Sequence, residues 1–264
     1  RESGKPMRPK NTEYKYLVAG VFITGVFMEM LDTTVINVAL PQLGRHFNAA
    51  NDSLEWVITG YLLSLAIWIP ASGWIGDRIG TKKTFVFAMG AFTLGSAMCG
   101  LSQNIDQLIL FRVLQGIGGG MMTPVGQAML FRAFPPDERS KAAGFMVIPT
   151  TVAPASGPIV GGFLIDYVSW QAIFIVNLPV GILGILFCFR YLKEHKEPNP
   201  GSFDAAGFAL AGAGMASLLY ALAEAGARGL DDSRVLLFCA AGIALLTAFV
   251  LVERGLRGSL VASA

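Results

Sequence analysis

Eight long apolar stretches, at residues 16–37, 54–74, 84–101, 105–130, 142–165, 170–192, 205–223 and 235–252, constrain the fold of this chain more than any other feature. A helix needs about 20 mostly apolar residues to cross a hydrocarbon core of about 30 Å, and each stretch meets or approaches that length. Lipid offers no partner to a backbone N–H or C=O, so a spanning segment must fold as a helix or close into a barrel. The runs are unbroken rather than alternating, which excludes the barrel and predicts an all-α membrane protein. Composition agrees: only 14% of the residues are charged and 53% are hydrophobic, whereas soluble domains carry about a quarter charged.

Placing the N-terminus inside sorts the basic residues. Arg45, Arg228 and Arg234 then fall in outer loops, Arg112 falls within the fourth span, and every other Lys and Arg of the 20 falls on an inner segment. The positive-inside rule therefore predicts a multi-pass protein of the inner or plasma membrane with both ends in the cytoplasm. A secretory signal is excluded because further spans follow the first apolar run and no small-residue cleavage site closes it. The longest polar connection, with Pro198, Pro200 and Gly201, marks a boundary after six spans. The expected organisation is a cytoplasmic segment at 1–15, a six-span bundle at 16–192, a cytoplasmic linker at 193–204, two additional spans at 205–252 and a cytoplasmic end at 253–264.

Three ionisable residues fall inside predicted spans: Glu29, Asp32 and Arg112. A charge in the hydrocarbon region costs upwards of about 2.5 kcal/mol, so its retention points to function. Glu29 and Asp32 lie three residues apart, on one face of the first span. That span runs outward and the fourth runs inward, which brings Asp32 and Arg112 to similar depth in the outer half. They form either a fixed ion pair that orients helices or a titratable carboxylate beside a guanidinium, the arrangement that proton coupling requires. Glycines and prolines crowd the fourth and fifth spans, where small residues let helices approach closely and prolines bend them.

These residues resemble a known family. Leu31-Asp32-Thr33-Thr34-Val35-Ile36-Asn37-Val38-Ala39-Leu40-Pro41 is similar to the first-span signature of the drug:proton antiporters with fourteen spans, the EmrB/QacA-like group of the major facilitator superfamily. Gly73-Trp74-Ile75-Gly76-Asp77-Arg78-Ile79-Gly80-Thr81-Lys82-Lys83 resembles the superfamily's loop signature between spans 2 and 3, with Thr81 where a basic residue is usual. Residues 108–120, including Arg112, Gln115 and Gly116, resemble the fourth-span signature assigned to proton transfer. Ala153 followed by Gly157-Pro158-Ile159-Val160-Gly161-Gly162 resembles the antiporter signature of exporters, with Ala153 replacing its first glycine. Residues 170–181, with Phe174, Asn177 and Pro179, resemble the start of span 6, departing at Gln171 and Ala172.

The resemblance implies a six-helix bundle of two inverted triplets plus two additional transmembrane helices, in a secondary transporter that exports hydrophobic or cationic drugs against protons by alternating access. Asp32 and Arg112 would serve proton coupling; Glu29, outside the quoted signatures, joins them as a buried carboxylate or is a local hydrogen-bonding group or a site specific to one substrate. Gly73, Asp77, Arg78, Gly80, Lys82 and Lys83 would form a cytoplasmic gate, the glycines allowing a tight turn and Asp77 capping a helix or pairing with basic residues. Gly157, Pro158, Gly161 and Gly162 would bend the fifth span. The expected partners are an organic small molecule, protons, the bilayer and a C-terminal half, because the family pattern continues for six spans beyond the eighth; on that pattern this chain, which also begins without Met, is an N-terminal fragment.

Two other classes compete. An enzyme should show His or Cys clusters or a nucleophile with its base, yet His46 and His195 fall in loops, and Cys99, Cys188 and Cys239 are isolated in apolar runs. No metal, cofactor or nucleic acid is therefore expected, and no Gly-rich loop ending in Gly-Lys-Ser or Gly-Lys-Thr suggests ATP. A non-transporting receptor, or an exporter of one metabolite or antibiotic, stands as the alternative.

Overall fold

The computed structural model describes residues 11–262, with side chains described for 13–254 apart from 227. The expectations for residues 1–10 and 263–264 lie outside the described residues. The elements are α1 (Asn11–Phe47), α2 (Asn51–Ile79), α3 (Thr81–Gly100), α4 (Ile105–Ala133), a 3-10 turn (Pro136–Glu138), α5 (Arg139–Tyr167), α6 (Ala172–Ile175), α7 (Asn177–Tyr191), α8 (Ala205–Arg228) and α9 (Ser233–Ala262). Among the described residues seven helices are long and apolar enough to cross a membrane, α6 and α7 counting as one. The remaining helix, α3, has 20 residues and opens with Lys82 and Lys83, which lower its average hydropathy. It nevertheless packs between α4 and α7 as a span-length helix.

Local chemistry sets several ends. Asn104 caps α4 by accepting from the Gln107 N–H at 2.9 Å, and Gln107 Oε1 accepts from the Gln103 N–H at 2.9 Å, a reciprocal cap. Asp204 caps α8 through the Gly207 N–H at 2.8 Å. Several helices run past their expected ends, α1 and α9 furthest. α1 continues through Pro41 to Phe47 because Ala39 and Leu43 are fully buried against the core around Leu54 and Trp170, and this packing outweighs the one backbone hydrogen bond that proline removes. α9 stays helical beyond residue 252.

α1 lies along α5, α4 lies along α2, and α1 crosses α4. This exchange of partners is what two inverted triplets produce, with α1, α2 and α3 equivalent to α4, α5 and the α6–α7 span. Glycine permits the closest approaches. A Cβ on Gly118 would run into the Ala88 carbonyl and the Phe92 backbone of α3, and one on Gly116 would stand 2.7 Å from the Tyr61 carbonyl of α2. The outer surface is apolar: Ile159, Phe163, Leu183, Leu186 and Leu237 are all exposed, as a lipid-facing surface requires. α8 and α9 pair with each other, and α8 lies against α2, so the extra spans flank the bundle instead of entering it.

Candidate functional site

Asp32 on α1 and Arg112 on α4 meet at the centre of the bundle. Arg112 Nη1 donates to Asp32 Oδ2 at 2.5 Å, with the two side chains 0% and 2% exposed. Both ions are thus out of solvent, and their stability depends on every remaining polar atom finding a partner. Arg112 Nη1 also donates to Gln115 Oε1 at 2.9 Å, and its Nε donates to the Val57 carbonyl of α2 at 3.2 Å. Nη2 meets no hydrogen-bond acceptor among the described residues. The guanidinium carbon instead sits 4.2 Å from the centroid of the Tyr61 ring, whose face takes up positive charge.

The other carboxylate oxygen is held by amides. Gln115 Nε2 donates to Asp32 Oδ1 at 3.0 Å, and Asn177 Nδ2 donates to the same atom at 3.1 Å. Asn177 opens α7, just past the break between α6 and α7, and its Nδ2 also lies 3.0 Å from Ser96 Oγ on α3. Ser96 in turn donates to the Phe174 carbonyl of α6 at 2.9 Å. One carboxylate therefore ties together α1, α4 and α7, and through them α2, α3 and α6. The packing of those helices therefore depends on the charge this carboxylate carries.

Glu29 is one turn along α1, buried with 4% exposure. It accepts from Thr123 Oγ1 of α4 at 2.6 Å and has no cation paired with it among the described residues. The sequence-predicted trio therefore divides into a tightly paired Asp32–Arg112 and a separate Glu29–Thr123 contact on the same α1–α4 seam.

The expected gate residues lie at the end of α2 and the start of α3, where Asp77 meets the expected basic partner and the local contacts are otherwise as follows. Gly73 and Gly76 are inside α2, and the turn rests on Gly80 alone, at φ +116°, a conformation open to glycine. Asp77 caps no helix, because α2 continues to Ile79 and holds its carboxylate on the helix side, where it pairs with Arg132 of α4 at 3.1 Å. The cap on α3 comes from Glu194 of the linker, which accepts from the N–H groups of Lys82 and Lys83 at 3.0 and 3.3 Å. Lys82 Nζ turns the other way, donating to the Phe189 and Leu192 carbonyls at the end of α7 at 3.0 and 2.8 Å. Arg78 lies against the Trp74 ring, 5.5 Å from its centroid.

The linker is therefore fastened to this turn. The Thr81 N–H donates to the His195 carbonyl at 2.8 Å, the Glu197 N–H donates to the Asp77 carbonyl at 3.1 Å, and Trp74 Nε1 donates to the Gly201 carbonyl at 2.9 Å. Thr81, the departure from the family signature, uses its hydroxyl on the same His195 carbonyl at 3.4 Å.

On α5, Gly157 and Gly161 face α1: a Cβ on the first would strike Thr34 Oγ1, and one on the second would stand 3.1 Å from Val35 Cγ1. Pro158 is exposed and Gly162 has no atom within 4 Å of its Cβ position. The helix is continuous through Pro149, Pro154 and Pro158, so two of the four expected bend residues act in packing against α1. Gln115, Asn177, Glu194 and Arg132 acquire contacts that sequence reasoning did not assign. Gln115 and Asn177 left a usable signal, since each is a polar side chain inside an apolar run. Glu194 and Arg132 left none.

Comparison with known proteins gives a consistent result. Residues 22–261 match the Major Facilitator Superfamily. A protein of Pectobacterium atrosepticum named "Putative multidrug resistance protein MdtD" is 40% identical over 230 residues, covering 87% of this chain and 49% of its own length. A protein of the same name from Yersinia pestis is 42% identical over 198 residues, covering 75% of this chain and 42% of its own length. The chain spans about half the length of the curated relatives it matches. Among solved structures, the human organic anion transporter MFSD10 (TETRAN) superposes with a TM-score of 0.63 at 17% identity, covering 84% of this chain and 58% of that one. The proton:xylose symporter XylE superposes with a TM-score of 0.63 at 16% identity, covering 87% of this chain and 57% of that one. These last two likenesses concern the fold.

Proposed function

Because the chain belongs to the major facilitator superfamily, we propose that, together with a second half of the kind its longer relatives carry, it exports hydrophobic or cationic organic compounds in exchange for protons. The observation that carries this reading is the fully buried Asp32–Arg112 pair on membrane-length helices. An ion pair of this kind, retained where it costs most, is the group whose charge an incoming proton would change. The names of the relatives support multidrug resistance as the physiological outcome.

The contacts support the following mechanism. With Asp32 ionised, Arg112, Gln115 and Asn177 all point donors at it and draw α1, α4 and α7 together. A proton on Asp32 removes the Coulomb attraction to Arg112 and turns one oxygen from acceptor into donor, facing two amide N–H groups. The occluding contacts weaken and the bundle is free to take its other access state. A cationic substrate competes with the proton for the same negative charge, which makes the two fluxes opposed. Glu29, on the same seam and without a paired cation, offers a second negative site for such a substrate. At the α2–α3 turn, the Asp77–Arg132 pair and the docked linker hold the cytoplasmic end closed. The N-terminus is cytoplasmic in this scheme.

The test is transport by the full-length protein in proteoliposomes loaded with ethidium. An imposed pH gradient should drive ethidium across the membrane, and a protonophore should abolish the flux. Flux that is indifferent to both the gradient and the protonophore would overturn the reading.

A further inference from the structure

Where the linker crosses the α2–α3 turn it leaves an open concavity of about 520 Å³, lined by Arg78, Ile79, Lys83, Lys196, Pro198 and Pro200. Three cations line it and no carboxylate does. The nearby acids are engaged elsewhere: Glu194 on the α3 N–H groups, Asp77 with Arg132 at 3.1 Å, and Glu197 with the same arginine at 4.0 Å. Among the described residues, none of Arg78, Lys83 and Lys196 takes part in an ion pair. Lys82 is a useful contrast, since its ammonium is spent on the end of α7. Like charges gathered without a counter-charge repel one another, and the docked linker adds Lys196 to the two already on α2 and α3.

The walls say what kind of anion fits. Ile79 is 51% exposed beside Arg78, and two prolines face it across the opening. Arg78 lies 5.5 Å from the centroid of the Trp74 ring, which meets Phe203 at a tilt of 55° with centroids 4.8 Å apart, the aromatic character of a membrane–water boundary. We propose that this concavity binds the phosphate of an acidic phospholipid headgroup, with Arg78, Lys83 and Lys196 around the phosphate and Ile79 against the glycerol and upper acyl chain. A bound headgroup bridges the linker to the gate turn and so holds the linker in its docked position. The placement rests on the cytoplasmic orientation given above, but binding requires no transport.

Native mass spectrometry of the purified full-length protein, titrated with equal phosphatidylglycerol and phosphatidylcholine, tests the assignment. Each lysine near an acidic lipid surface strengthens binding roughly fivefold. Lys83→Gln/Lys196→Gln should therefore lose phosphatidylglycerol retention by about 25-fold, while Lys83→Arg/Lys196→Arg retains it. The control pair Arg139→Gln/Lys141→Gln lies outside the residues that line the concavity, and Lys141 is already paired with Glu138 at 3.2 Å, so it should lose several-fold less than the site pair. If the double variant fails to fold, Lys196→Gln alone, outside every helix, should still lose about fivefold. Equal losses in the site pair and the control pair, or no lipid preference in the native protein, would overturn the proposal. Displacement of the lipid by millimolar glycerol phosphate would assign the site to a free phosphate and overturn the lipid assignment. Intact lipid retention in a protein that fails the ethidium assay would sink the transport reading and leave this one standing.

Discussion

Breaking the Asp32–Arg112 pair from one side should cost more than removing it from both. Asp32→Asn leaves a guanidinium with 0% exposure whose remaining acceptors are the Val57 carbonyl and Gln115 Oε1. The new amide also points an N–H group among three donors. Stranding a buried charge in this way costs about 3–5 kcal/mol, and this variant belongs at the upper end. Arg112→Gln leaves a carboxylate that keeps the Gln115 and Asn177 amides, so its cost falls near the lower end, about 3 kcal/mol. The double variant has two neutral amides able to bond each other, and its loss should be about 1–2 kcal/mol, the scale of imperfectly replaced hydrogen bonds. The coupling between the sites is then several kcal/mol, well above the 0.5–3 kcal/mol, or thereabouts, usual for contacting residues. Unfolding of the full-length protein in mixed detergent micelles measures all three. Additive losses, or a larger loss for Arg112→Gln than for Asp32→Asn, would refute the reasoning.

Three further outcomes follow from the packing and the linker. Gly118→Ala should destabilise by about 1–3 kcal/mol, since its methyl group meets the α3 backbone, whereas Gly162→Ala, facing open space, should leave the unfolding midpoint unchanged or slightly raised. Glu194→Ala removes both acceptors from the start of α3; it should cost about 1 kcal/mol and speed amide exchange at Lys82 and Lys83 about fivefold. Arg132→Ala breaks a pair whose side chains are 38% and 42% exposed, so its stability cost should stay below about 1 kcal/mol, while limited proteolysis should cut the 193–204 linker faster as the Asp77 and Glu197 contacts loosen.

The spans were legible because membrane thickness imposes a length that hydropathy reveals directly. The charged trio stood out for a related reason: in lipid an ionised side chain costs enough to need an explanation. Asn177 was legible only as part of the span 6 resemblance, not as a partner of the carboxylate it holds. A buried amide is cheaper than a charge, and its place at the α6–α7 break appears only once the chain has folded. The gate turn shows the opposite failure. Glycines at 73, 76 and 80 read as allowing a tight turn, yet in the bundle α2 stays helical through Gly73 and Gly76, leaving Gly80 as the turn. Glu194 capping α3 and Lys82 capping α7 join residues more than 100 positions apart, and no local pattern announces such contacts. α3 sits between these cases. Two lysines at its start dilute its hydropathy, but its buried core of Phe85, Met89 and Phe92 fixes it between neighbours.

The central claim is that Asp32 carries the coupled proton. The direct measurement is proton release from the purified full-length protein on adding a saturating cationic substrate, read with a pH indicator in weakly buffered detergent solution, for the native protein and Asp32→Asn. The account predicts substrate-induced release from the native protein and its loss in Asp32→Asn, with the cationic substrate still bound, more weakly, through Glu29. Undiminished release from the Asp32→Asn variant would contradict it and move the coupling to Glu29 or to the second half.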